Sequence, residues 1–107
     1  MKMKTICPKE CKDRIAKGEN LEIIDIRELY EYNQCNIGSR HIPMSEIIEK
    51  HKELDVKNQI VILCRSGKRA EAVANLLEFE TQFKEVWIVE GGIKAWKERV
   101  DPTLNIE

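Results

Sequence analysis

Residues 60–70 read IVILCRSGKRA, a run of strand-forming apolar residues from Ile60 to Leu63 that ends in Cys64 and passes at once into Arg65, Ser66, Gly67, Lys68 and Arg69. A strand apolar at every position is buried on both faces, the condition of a parallel strand covered by helices on either side. Cys64 stands at its C-terminal end, the edge at which open α/β sheets place their sites. Three cationic side chains, the amides of a Gly-containing turn and a helix N-terminus then gather around one sulfur, and each stabilises negative charge on it. The stretch predicts a thiolate nucleophile in an anion-binding turn.

Outward from this segment the chain alternates strand and helix patterns. That alternation predicts an α/β fold: a five-stranded, mostly parallel sheet with four or five helices on both faces. Upstream, a strand over Met3–Ile6 runs into a helix from Pro8, with Cys7 at the N-cap and Ile6 and Cys11 placed as a hydrophobic staple. Gly18 stops that helix, and a second strand spans Leu21–Ile26 and ends in the charged turn Asp25, Ile26, Arg27, Glu28. A short helix over Leu29–Gln34, a loop at Ile37–Ser39, a strand at Arg40–Ile42 and a helix over Met44–Lys50 lead to the strand Gln59–Leu63. Downstream, Ala70, Val73, Ala74 and Leu77 recur at i, i+3, i+4, i+7, a helical stripe that faces the sheet. A last strand at Val86–Val89, a sharp turn at Gly91 and Gly92 and a helix over Ile93–Glu98 carrying Trp96 complete the pattern.

With 107 residues the chain is expected to form one domain over residues 1–107. Apolar residues make up 42% and charged residues 35%, and the net charge is -1, a composition without bias toward nucleic acid or an anionic membrane. No apolar run reaches the length of a membrane span and the N-terminus lacks the features of a secretory signal, so the expected location is the cytoplasm. The cysteines at 7, 11, 35 and 64 match no small disulfide framework, and Cys7 and Cys11 lack the second closely spaced ligand pair of a structural zinc site. They are read as reduced thiols with no metal.

The six residues from Cys64 to Arg69 close back on the thiol as a small cradle, which suits an anion attached to Cys64. Either sulfur or an oxyanion fits that description. Sulfur transfer needs a thiolate that attacks a sulfane sulfur, a site that stabilises the resulting persulfide, and release to a nucleophilic acceptor. Phosphoryl transfer also begins from a thiolate, but it needs donors for three equatorial oxygens and asks for a roomier cradle.

The segments IIDIRELYEY, NIGSRHIP, VILCRSGKRA and VEGGIKAW follow one another along nearly the whole chain. In their order and spacing the chain resembles a single-domain rhodanese, a sulfurtransferase module. It implies that Cys64 carries a persulfide, that Arg65, Ser66, Gly67, Lys68 and Arg69 form the rest of its binding loop, and that no cofactor or metal takes part. Phosphatases and arsenate reductases that share the fold typically have one more residue before the closing arginine, so the loop here is of the shorter, sulfur type. The resemblance also assigns Asp25 and Arg27 to a buried polar network near the site, although as a bare sequence the two read equally as a solvated pair. Gly91 and Gly92 read as close-approach residues beside the pocket or as a plain turn, and Trp96 as core.

Three departures stand out. The loop CNIGSRHIP is one residue tighter than the family usually has before Gly38, Gln82 replaces a common helix-terminating glycine, and Cys35 stands where glycine is usual. Cys35 is either a small loop residue or a second thiol that resolves a persulfide on Cys64 into a disulfide. The function implied is transfer of sulfane sulfur from a small anionic donor, thiosulfate or a persulfide, to a thiol, cyanide or a sulfur-carrier protein. The rival readings are a sulfur carrier or regulatory binding module with little turnover, and a small cysteine phosphatase or arsenate reductase.

Overall fold

The computed structural model describes residues 4–55, 57–80, 83 and 85–106. Five parallel strands, β1 (Lys4–Ile6), β2 (Leu21–Asp25), β3 (Arg40–His41), β4 (Gln59–Leu63) and β5 (Val86–Val89), form one sheet in the order β1-β5-β4-β2-β3. The helices are α1 (Pro8–Ala16), α2 (Leu29–Gln34), α3 (Ile47–Lys50), α4 (Lys68–Glu80) and α5 (Gly92–Arg99).

Alternation along the strands divides the core in two. Ile24, Ile60, Ile62, Val86 and Ile88 point to one face, where they pack with Ala70, Val73, Ala74 and Leu77 of α4 and with Ile47 of α3. Ile6, Ile23, Val61, Leu63 and Val89 point to the other, against Cys11 of α1 and Ile93 and Trp96 of α5. The unbroken apolar run of β4 follows from this double cover, since residues 60 to 63 are all fully buried. The chain leaves β4 toward β5 on one side and leaves β2 toward β3 on the other. The crevice beyond the C-terminal ends of the adjacent strands β2 and β4 is therefore the topological switch point of the sheet.

Several element ends differ from expectation. β2 stops at Asp25, not Ile26, because the Asp25 carboxylate turns back to accept the Arg27 amide at 3.0 Å. Pairing of β3 ends at His41, one residue early, and the Ile42 amide donates to the Asp25 carbonyl at 3.0 Å. The helix expected over Met44–Lys50 is a 3₁₀ turn at Met44–Glu46, one α turn at Ile47–Lys50 and a second 3₁₀ turn at His51–Glu53. Only Ile47 and Leu54 anchor this stretch in the core, and two contacts do not hold a long regular helix. Helix α5 begins at Gly92 and ends at Arg99, one residue wider at each end than its apolar pattern. Met3 and Gln82 lie outside the described residues.

Candidate active site

Cys64 is the first residue after β4, 1% exposed and packed among the residues under α4. The Gly67 amide donates to its Sγ at 3.0 Å, so the turn bends back on the sulfur within three residues. Gly67 holds φ at +109°, a conformation open to glycine and strained for a residue with a Cβ. Among the described residues the amides of Arg65, Ser66, Lys68 and Arg69 donate to no protein acceptor, and the last two belong to the first turn of α4. The Gly67 amide at the sulfur, the unengaged donors of the same turn and the start of α4 immediately after it are groups of the kind that stabilise negative charge.

The loop is braced from behind by α5. The Ile93 amide donates to the Cys64 carbonyl at 2.9 Å and the Lys94 amide to the Arg65 carbonyl at 3.2 Å, so two orphan donors of one helix start fix the peptide units of Cys64 and Arg65. This approach requires glycine at position 92. A Cβ there would lie 2.4 Å from the Arg65 oxygen and 2.5 Å from the Cys64 oxygen, and Gly92 sits at φ +63°. Gly91, at φ +75°, leaves room for Ala95, whose Cβ would be 2.6 Å from a Cβ at position 91.

Beside the loop, Asp25 and Arg27 are fully and almost fully buried. Arg27 Nη2 donates to Asp25 Oδ2 at 2.8 Å and Nε to Oδ1 at 3.0 Å, a two-pronged pair, while Nη2 also reaches the Cys35 carbonyl at 2.7 Å. His41 Nε2 donates to the Arg27 carbonyl at 2.7 Å, and its ring stacks on Tyr32 with centroids 4.4 Å apart. The network ties the ends of β2 and β3 to the C-terminal part of α2. The Cys35 contact here is made by its backbone.

The loop cations do not share one role. Arg65 and Lys68 are exposed, and among the described residues neither takes part in an ion pair. Arg69 turns to Glu31, Nη1 to Oε1 at 2.8 Å and Nη2 to Oε2 at 3.0 Å. Arg69's hydrogen bonds hold the Glu31 carboxyl below the usual carboxylate range against the opposing effect of burial, and the same bonds push the Arg69 guanidinium up. Glu31 also accepts the Glu28 amide at 3.0 Å, capping α2. Glu31, Tyr32 and His41 are the members of the site that sequence reading passes over. The Glu28-x-x-Glu31 spacing signals the cap, but nothing local signals a partner 38 residues away.

Residues 8–99 match the model of the family described as Rhodanese-like domain, which covers most of the 107-residue chain. The chain belongs to that family. It is 39% identical over 103 residues to the putative sulfurtransferase YtwF of Bacillus subtilis, a match covering 95% of this chain and 98% of that protein. It is 36% identical over 86 residues to the putative sulfur carrier protein YrkF of the same organism, covering 79% of this chain but only 46% of the larger protein. Among solved structures, a rhodanese-related protein from Thermoplasma volcanium superposes with a TM-score of 0.81 at 28% identity, covering 97% of this chain and 99% of that one. The rhodanese fold thus accounts for the sheet, and relatives named for sulfur transfer and sulfur carriage share the chain's full span or most of it.

Proposed function

We propose that this rhodanese-family chain, acting as one unit over residues 1–107, is a cytoplasmic sulfurtransferase that works by double displacement through a persulfide on Cys64. The observation that carries the reading is the Gly67 amide at 3.0 Å from Cys64 Sγ, inside a turn whose remaining amides are free for an anion. The Cys64 thiolate attacks the outer sulfur of thiosulfate, the S–S bond of the donor breaks, and sulfite leaves with the electron pair. The terminal sulfur of Cys64-S-S⁻ then carries the negative charge, and the turn amides and the α4 N-terminus stabilise it. A thiolate, of a small molecule or of a sulfur-carrier protein, or cyanide attacks that sulfur and releases the Cys64 thiolate, leaving the sulfur on the acceptor as a persulfide or as thiocyanate.

Arg65 and Lys68 draw the anionic donor toward the mouth, Ser66 and Gly67 shape the turn, and Asp25, Arg27, Gly91 and Gly92 hold the frame. No cofactor or metal enters this scheme. Incubation with thiosulfate and cyanide should yield thiocyanate at a rate that Cys64→Ala abolishes. Hydrolysis of an aryl phosphate without thiocyanate would instead indicate phosphatase chemistry.

The likeness to a putative sulfur carrier favours one second reading, a carrier that loads sulfur but turns over slowly with free acceptors. Stoichiometric loading of Cys64 together with negligible steady-state thiocyanate would select it.

A further inference from the structure

The closing arginine of the loop is engaged before any donor arrives. Glu31, from the first turn of α2, meets Arg69 with both carboxylate oxygens, at 2.8 and 3.0 Å, and is itself held by the Glu28 amide at 3.0 Å. The Glu31 side chain is only 13% exposed and that of Arg69 34%, so water screens this pair less than an ordinary surface pair. One of the three cations in the cradle is thereby neutralised by a residue from another element, and the two others are solvent-exposed.

We propose that Glu31 is a positioning residue that sets the charge selectivity of the Cys64 site: by holding Arg69 as a neutral pair, it lowers the loop's affinity for doubly charged oxyanions. The bias favours donors of lower charge, such as a low-molecular-weight persulfide, over thiosulfate. Its consequence for catalysis rests on the sulfur-transfer reading above, whereas its consequence for anion binding does not. A competing geometry has the opposite sign. Glu31 engages Nη1 and Nη2, and among the described residues Arg69 Nε has no carboxylate contact; a carboxylate that merely aimed this edge at the donor would strengthen anion binding.

The probe is sulfate, a dianion that cannot donate sulfur, titrated while the Gly67 amide resonance is followed, beside KM and kcat for thiosulfate. Glu31→Gln should tighten sulfate about fivefold and lower the thiosulfate KM by a similar factor with kcat little changed. Glu31→Asp keeps the charge and should stay near wild type. The double variant Glu31→Gln/Arg69→Gln exchanges one neutral pair for another and should bind sulfate within about twofold of wild type, a control that serves also if the single variant does not fold. Unchanged or weaker sulfate binding in Glu31→Gln, a tenfold or greater loss in the double variant, or no sulfate response in any variant overturns the proposal. If the variants order as expected and no thiocyanate forms, the sulfur-transfer reading fails and this one stands. Thiocyanate formation with no tightening by Glu31→Gln gives the reverse.

Discussion

Burying both Asp25 and Arg27 takes two full charges out of water, and each is balanced by the other and by fixed backbone groups. Asp25→Ala would leave the guanidinium buried and uncompensated, so chemical denaturation should show a loss of about 3–5 kcal/mol. Their spacing in the sequence is equally that of an exposed turn. What separates the two cases is a carbonyl at Cys35, eight residues on, and no local pattern encodes it. Cys11 is simpler, because the staple with Ile6 is written in the order of residues and both side chains are buried. Burial pushes the Cys11 thiol up from 9.0 to about 11, with Arg14 pulling weakly the other way. Below pH 9 the thiol is protonated in both the folded and unfolded chain. As pH rises toward 11 the unfolded thiol ionises first, so folding stability falls by up to about 3 kcal/mol across that window. The alkaline loss should be smaller in Cys11→Ala, and iodoacetamide should leave Cys11 unmodified in the native protein at neutral pH.

At the scale of elements, the Cys64 loop is held between two helix starts, that of α4 in front and that of α5 behind. Gly92→Ala tests this bracing, because the added Cβ meets the Cys64 and Arg65 carbonyls at 2.4–2.5 Å with a backbone that disfavours any Cβ. The variant should lose about 3 kcal/mol or more by thermal or denaturant melting, and the Gly67 amide resonance should move even though residue 92 lies 25 positions away. Helix α4 was legible because its stripe of Ala70, Val73, Ala74 and Leu77 is long enough to fix the period. The stretch after Pro43 was not, because Ile47 and Leu54 alone face the core and short 3₁₀ turns leave no periodic signature. Glu31 illustrates a further limit. The sequence shows its capping role within one helix turn, while its pairing with Arg69 exists only once β2 and β4 lie side by side.

In the molecule as a whole, a parallel sheet ordered β1-β5-β4-β2-β3 brings the ends of β2 and β4 together at the switch point, so that the Asp25–Arg27 pair and the Cys64 loop lie at the same edge. The strand order explains why two segments nearly forty residues apart in sequence, around Asp25 and around Cys64, form one site. Acidification reaches the same place. The Glu31 carboxyl, held below its ordinary 4.5 by Arg69, stays ionised at neutral pH and contributes stability there. That contribution is lost only as pH falls below 4.5 through the lowered folded value, so Glu31→Gln should flatten the acid limb of the stability curve relative to wild type. The central claim is that this crevice carries sulfur on Cys64. Its most direct test is mass spectrometry of the intact protein and its peptides after incubation with thiosulfate under non-reducing conditions, with Cys35→Ser run in parallel. One added sulfur on the peptide containing Cys64, removed by cyanide and with the same lifetime in Cys35→Ser, is the predicted result, while an unmodified Cys64, or a sulfur carried on another cysteine, would contradict it.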